Sequence, residues 1–197
     1  MRQSLKTIPD RPSPEISRRR LLYGALATTA LAFTLPQLAR QAGASGFEAR
    51  LAELGVSLPD IPEPVANYVP YRVVDGFVYC AGQIPFRDGE LIHPGKVPTE
   101  VSVEDAQTAA RQCAINLIAT LKAACDGNLD RVRQCMRLQG FVASADDFTQ
   151  QSTVMNGASD FMVEVFGEVG RHTRLAVGVN TLPLNACVEV SGVFAIN

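Results

Sequence analysis

The chain has 197 residues, enough for one domain with a sizeable core, and its 47% hydrophobic and 19% charged content is an ordinary globular mix. A formal net charge of −2 excludes a broadly basic surface, so nucleic acid is an unexpected partner. The five cysteines, Cys80, Cys113, Cys125, Cys135 and Cys187, show no CxxC spacing, and His93 and His172 are the only histidines. Scattered cysteines in apolar context read as buried thiols, and neither a metal nor an organic cofactor is expected.

Residues 1–45 differ in composition from the rest. Ser17-Arg18-Arg19-Arg20-Leu21-Leu22 is a twin-arginine pattern ahead of an uncharged apolar run, Leu21 to Leu38, and Ala42-Gly43-Ala44 offers small residues for cleavage. The expectation is a twin-arginine leader over 1–45, with a periplasmic mature chain starting near Ser45. The alternative is a mis-assigned start codon and a cytoplasmic protein. One domain is then expected over 46–197.

Phe47, Leu51 and Leu54 have helical spacing ahead of a Gly55 stop. Prolines 59, 62, 64 and 70 make an extended connector. Tyr71–Val74 and Phe77–Gly82 flank Asp75-Gly76, a strong hairpin signal. Arg87-Asp88-Gly89 is a second turn, Glu90–Ile92 a short strand, and His93–Thr99 loop. Ser102–Cys125 is the strongest helix. Ser102 and Asp105 resemble a capping box, and Val103, Ala106, Ala110, Cys113, Leu117, Leu121 and Ala124 form one apolar face.

Arg131–Val142 reads as a long strand, with Val132, Met136, Leu138 and Val142 on one side and Arg131, Arg133, Arg137 and Gln139 on the other. The arginine row is either a nucleic-acid stripe or a solvated or partner-facing surface, and no aromatic platform accompanies it. Val154–Phe166 is a second long helix, stopped by Gly167 and Gly170, with Asn156 near its start. Two strand-like runs come next, joined by a turn over Leu182 to Asn185. Leu175, Val177 and Val179 alternate in the first, and Val188, Val190, Phe194 and Ile196 in the second. Their other faces hold mostly small residues plus Arg174 and Glu189, which points either to a pocket or to an exposed ion pair. The pattern as a whole predicts an α+β fold: one mixed sheet, two helices packed on one face, and an oligomer covering the other.

Arg174, then Leu182-Pro183, then Glu189 within a VEV triplet at a spacing of 15 residues resembles the C-terminal signature of the RidA (YjgF) family of enamine/imine deaminases, formerly called endoribonuclease L-PSP. Pro70-Tyr71, Gly82-Gln83-Ile84-Pro85 and Asn156 agree in order. The resemblance implies a chorismate-mutase-like fold and a homotrimer with clefts between subunits. It implies hydrolysis of 2-iminopropanoate or 2-iminobutanoate, or their enamine tautomers, to 2-oxo acids and ammonia. By position, Arg174 binds the carboxylate, Glu189 positions water, Tyr71 (or Tyr68 in its place) and Asn156 line the cleft from one subunit or from two, Gly82 permits close backbone approach, and Ala176 offers backbone groups. The pattern departs at Ala81, Leu175 and Ala176, where the family often has Ser, Ser and Cys. Endoribonuclease or translation-inhibitor activity, and a non-catalytic ligand-binding role, are the alternatives.

Overall fold

The computed structural model describes residues 46–61 and 67–197. The expected leader, and residues 62–66 of the proline-rich connector, lie outside the described residues. Helix α1 (Phe47–Glu53) comes first, followed by strands β1 (Tyr71–Val74), β2 (Phe77–Gln83), β3 (Phe86–Arg87) and β4 (Glu90–Leu91). Then come α2 (Val103–Ala124), β5 (Val132–Ala143), α3 (Gln151–Phe166), β6 (Thr173–Val179) and β7 (Val188–Ile196). β3 was not anticipated; it pairs with β4 in a small separate ribbon.

The five-stranded sheet has the order β1-β2-β7-β5-β6. β1 and β2 form the expected hairpin around Asp75 and Gly76, both at positive φ (49° and 77°), as a tight two-residue turn requires. β6 and β7 are joined through Leu182–Asn185 but are not neighbours. β5 lies between them, parallel to β6 and antiparallel to β7. The sheet is therefore mixed.

α2 starts at its cap, where Ser102 Oγ accepts from Asp105 N at 3.0 Å. The reciprocal half of a capping box is replaced by an approach of the Asp105 carboxylate to His93 Nδ1, at 3.8 Å. α2 and α3 cover one sheet face, burying Leu117, Ile118, Leu121, Phe161 and Met162 against Leu138, Val142, Val190 and Phe194. The two helices also touch each other at Gly157, where an added Cβ would lie 2.8 Å from the Gln107 carbonyl carbon. α1 packs on the outer end of α3 through Phe47 and Phe166, with ring centroids 4.8 Å apart, and Arg50 Nε donates to Glu164 O at 2.9 Å.

Strict alternation fails in β5. Its register against β7 slips between Val132 and Gln134 and again between Cys135 and Arg137. Each bulge inserts a residue and reverses the facing of the residues beyond it. Cys135 thus takes the core position expected for Met136, which is exposed. Arg131 leaves the strand for a 3₁₀ turn over Leu129–Arg131, where its guanidinium meets Asp126 and donates to Asn197 O at 2.8 Å. The expected row of three arginines is therefore not continuous.

Among the described residues, nothing covers the second sheet face. Val74, Phe77, Tyr79 and Leu175 are 36–54% exposed on it, between Arg72 and Arg137. A row of large apolar side chains on an open sheet marks an interaction surface.

Candidate functional site

Strand register places the two charged residues. β5 pairs Leu138 with Arg174 and Phe141 with Glu189, and the ladder from Leu138 to Ala143 contains no bulge. Directly paired residues share a face, and faces alternate along a strand. Arg174 therefore belongs to the helix-covered face with Leu138, and Glu189 to the open face with Phe141. They lie two strands and about three residues apart, on opposite sides of the sheet, roughly 10 Å in each direction. Within one protomer they form neither a shared pocket nor an ion pair, which corrects both alternatives drawn from the sequence.

The first half of the site lies at the β6 edge. Arg174 Nη1 donates to Asn156 Oδ1 at 2.9 Å and to Ser159 Oγ at 3.0 Å, both on α3. Asn156 and Ser159 are three apart on a helix and so share its face. Ser159 Oγ is 3.1 Å from His172 Nε2, and His172 Nδ1 is 2.7 Å from Gly170 O. Burial pushes the His172 imidazole below its usual 6.5, and the Arg174 charge adds to that. Ala176 lies two residues on, on the same face, half-buried against the core.

The second half lies on the open face. β2 slips register against β7 between Cys80 and Gln83. At this bulge Gly82 faces the Glu189 carboxyl group. A Cβ on Gly82 would lie 2.8 Å from Glu189 Cδ and would overlap Oε1. Gly82 thus makes room for the acid side chain itself rather than for a ligand alone. Burial raises the Glu189 carboxyl above its ordinary 4.5. Asn116 fixes the segment beyond the bulge, its Nδ2 donating to Ile84 O and Phe86 O, both at 3.0 Å.

Within one protomer Tyr71 joins neither half. It pairs with Cys80 at the far edge of the sheet and packs half-buried against the core. Four strand spacings, roughly 19 Å, separate it from Arg174. Ser159, His172 and Asn116 were missed in the sequence. The one available signal was Ser159 standing one helical turn beyond Asn156.

Among the described residues, no group of three His, Cys, Asp or Glu side chains could hold a metal, and no helix is long and apolar enough to cross a membrane. Burial lifts Cys80 and Cys135 to about 12 and Cys187 to about 11, so these thiols stay protonated.

A mixed sheet with helices on one face and a guanidinium and a carboxylate on opposite faces defines an α+β domain of the chorismate-mutase-like class. The family model described as "YjgF/chorismate_mutase-like, putative endoribonuclease" matches residues 48–195, and the chain belongs to that family. It is 43% identical to protein TCP17 of Trypanosoma cruzi over 76% of this chain and 93% of that one. It is similar in structure to Atu1372 of Agrobacterium tumefaciens (44% identity, TM-score 0.73, 77% of this chain and 92% of that one). It is also similar to a protein of Shewanella oneidensis MR-1 called an endoribonuclease (33% identity, TM-score 0.74, 77% and 99%).

Proposed function

We propose that this protein hydrolyses small 2-imino acids, or their enamine tautomers, to 2-oxo acids and ammonia, in clefts built from two subunits of a homotrimer. The observation that carries this reading is the split between Arg174 with Asn156 at the β6 edge and Glu189 with Gly82 on the open face. Two different patches that must meet need a second copy, and a heterologous contact whose rotation closes would bring them together in a ring. The apolar open face supplies the area to be covered.

In that cleft Arg174 grips the substrate carboxylate through its planar fork of donors. The carbon of a protonated imine is already electrophilic, so the protein needs only to orient it and aim a water at it. Glu189, its carboxyl raised by burial, is suited to take a proton from that water as oxygen bonds to carbon. Returning the proton to nitrogen, and then taking the hydroxyl proton back onto Glu189 as the C=O bond forms, lets the C–N bond break and ammonia leave. The endoribonuclease alternative needs a basic groove, which the tied-down Arg131 and the net charge of −2 do not favour.

The test is complementation, read as 2-oxo acid release behind a serine or threonine dehydratase. Arg174→Ala and Glu189→Gln should each be inactive. Mixed and reassembled as trimers, they should recover up to about a quarter of wild-type rate, because only clefts with both native halves work. Inactive wild-type protein, or hybrids that assemble without recovery, would overturn the proposal.

A further inference from the structure

The hydrogen-bond chain behind Arg174 has a fixed direction. Gly170 O is a carbonyl and only accepts, so His172 Nδ1, 2.7 Å away, carries a proton. In the neutral ring Nε2 is then an acceptor, and the Ser159 hydroxyl, at 3.1 Å, donates to it. That turns a Ser159 lone pair toward Arg174 Nη1, at 3.0 Å. We infer that His172 and Ser159 are positioning residues for Arg174: a neutral, Nδ1-protonated His172 orients the Ser159 hydroxyl so that, with Asn156, it holds the guanidinium for a carboxylate ligand. This rests on the reading of Arg174 as the carboxylate anchor.

Protonating His172 reverses the chain. Nε2 becomes a donor to Ser159, which must then accept from two cations, and an imidazolium stands one hydroxyl away from the guanidinium. Two of the other charged groups on the packed elements are already engaged. Glu164 on α3 pairs with Arg111 at 2.7 Å, and Glu168 in the turn before β6 pairs with Arg171 at 3.0 Å. Asp160 on α3 is exposed, and Arg137 on β5 lies on the opposite sheet face from Arg174. Of these charges, Arg174 is the one felt by the ring, and it disfavours the imidazolium, as burial does.

The experiment uses the full chain, nitrogen-15 labelled. With two histidines in the sequence, His93→Gln leaves His172 as the one imidazole to follow. The expected result is an Nδ1–H tautomer at pH 7.5 that titrates below 6.5 and shifts upward in Arg174→Ala. The dissociation constant for 2-oxobutanoate should rise roughly tenfold as pH falls through that titration, the size expected for a lost hydrogen bond to a charged group. Ser159→Ala should bind about tenfold more weakly at every pH and lose the step, while Ser159→Thr keeps it. His172→Gln, which cannot titrate, provides a second variant without the step. An Nε2–H tautomer, or a step that survives Ser159→Ala, refutes the inference. Binding that shows the step without any turnover of imines removes the deaminase reading and leaves the inference standing.

Discussion

Gly82→Ala tests whether the pairing of Gly82 with Glu189 serves catalysis. Gly82 is not in the left-handed region, so alanine is tolerated by the backbone. Its new methyl, however, would overlap Glu189 Oε1 and lie 2.8 Å from Cδ and 3.1 Å from Cγ. These atoms belong to a side chain with rotatable bonds, so the carboxyl swings away and the sheet stays. Leaving its rotamer costs about 1 kcal/mol, partly offset because the displaced carboxylate gains water. Stability should thus fall by no more than about 1 kcal/mol in urea. The rate should fall much further. A positioned general base contributes about 10²–10⁴-fold, so kcat/KM for imine hydrolysis should drop at least roughly 100-fold, about 2.7 kcal/mol of transition-state stabilisation. Glu189→Gln should lose as much, and the double variant no more than either single one, since both remove the same group. A Gly82→Ala protein within about threefold of wild type, or losses that multiply, would refute this account of the bulge.

Gly157→Ala should destabilise by about 3 kcal/mol in urea, because its Cβ would press on the α2 backbone at 2.8 Å from Gln107 C and 3.1 Å from its Cα, where no side chain can yield. Glu189→Gln should be more stable than wild type at pH 7. The folded carboxyl holds its proton above the ordinary 4.5, so wild-type stability falls as pH rises from there through the raised value, and the difference should vanish in thermal melts below 4.5. The five buried thiols should resist an aromatic disulfide reagent at pH 8 and all react in denaturant; fast labelling of any native thiol would contradict their burial. We also propose twin-arginine export, a route for already folded chains that suits a core of free thiols. The periplasmic fraction should then yield a mature N-terminus near Ser45, and full-length chain confined to the cytoplasm would overturn it.

Much of the fold was legible because single-residue signals were strong. Asp75-Gly76 declared its hairpin, Ser102 its cap, and the spacing from Val103 to Ala124 its buried face. Periodicity could not supply an insertion. The two bulges in β5 moved Cys135 inward and Met136 outward, and nothing in VRQCMRL announces them. Nor could it supply strand order. Runs 173–179 and 188–196 are adjacent in the chain, and only the sheet shows that β5 separates them. At the candidate site, charge among small neighbours singled out Arg174 and Glu189, and the family resemblance added Asn156 and Gly82. Ser159 and His172 matter through whom they touch, which is a tertiary fact.

The parity of the sheet is the reason the proposed site calls for more than one copy. Leu138 and Phe141, the partners of Arg174 and Glu189 on β5, are three residues apart, an odd number, so the two charges face opposite ways whatever their rotamers. An even offset would have let them pair within a protomer, where the carboxylate would neutralise the guanidinium that a substrate must find free. Held apart, Arg174 stays tied only to neutral oxygens on Asn156 and Ser159, and Glu189 keeps the raised, half-desolvated carboxyl that an ion pair would lower. The proposed assembly would then bring a free cation and a poised base to one cleft without letting either quench the other beforehand. The exposed Val74, Phe77 and Tyr79 would supply apolar area to hold that proposed cleft closed.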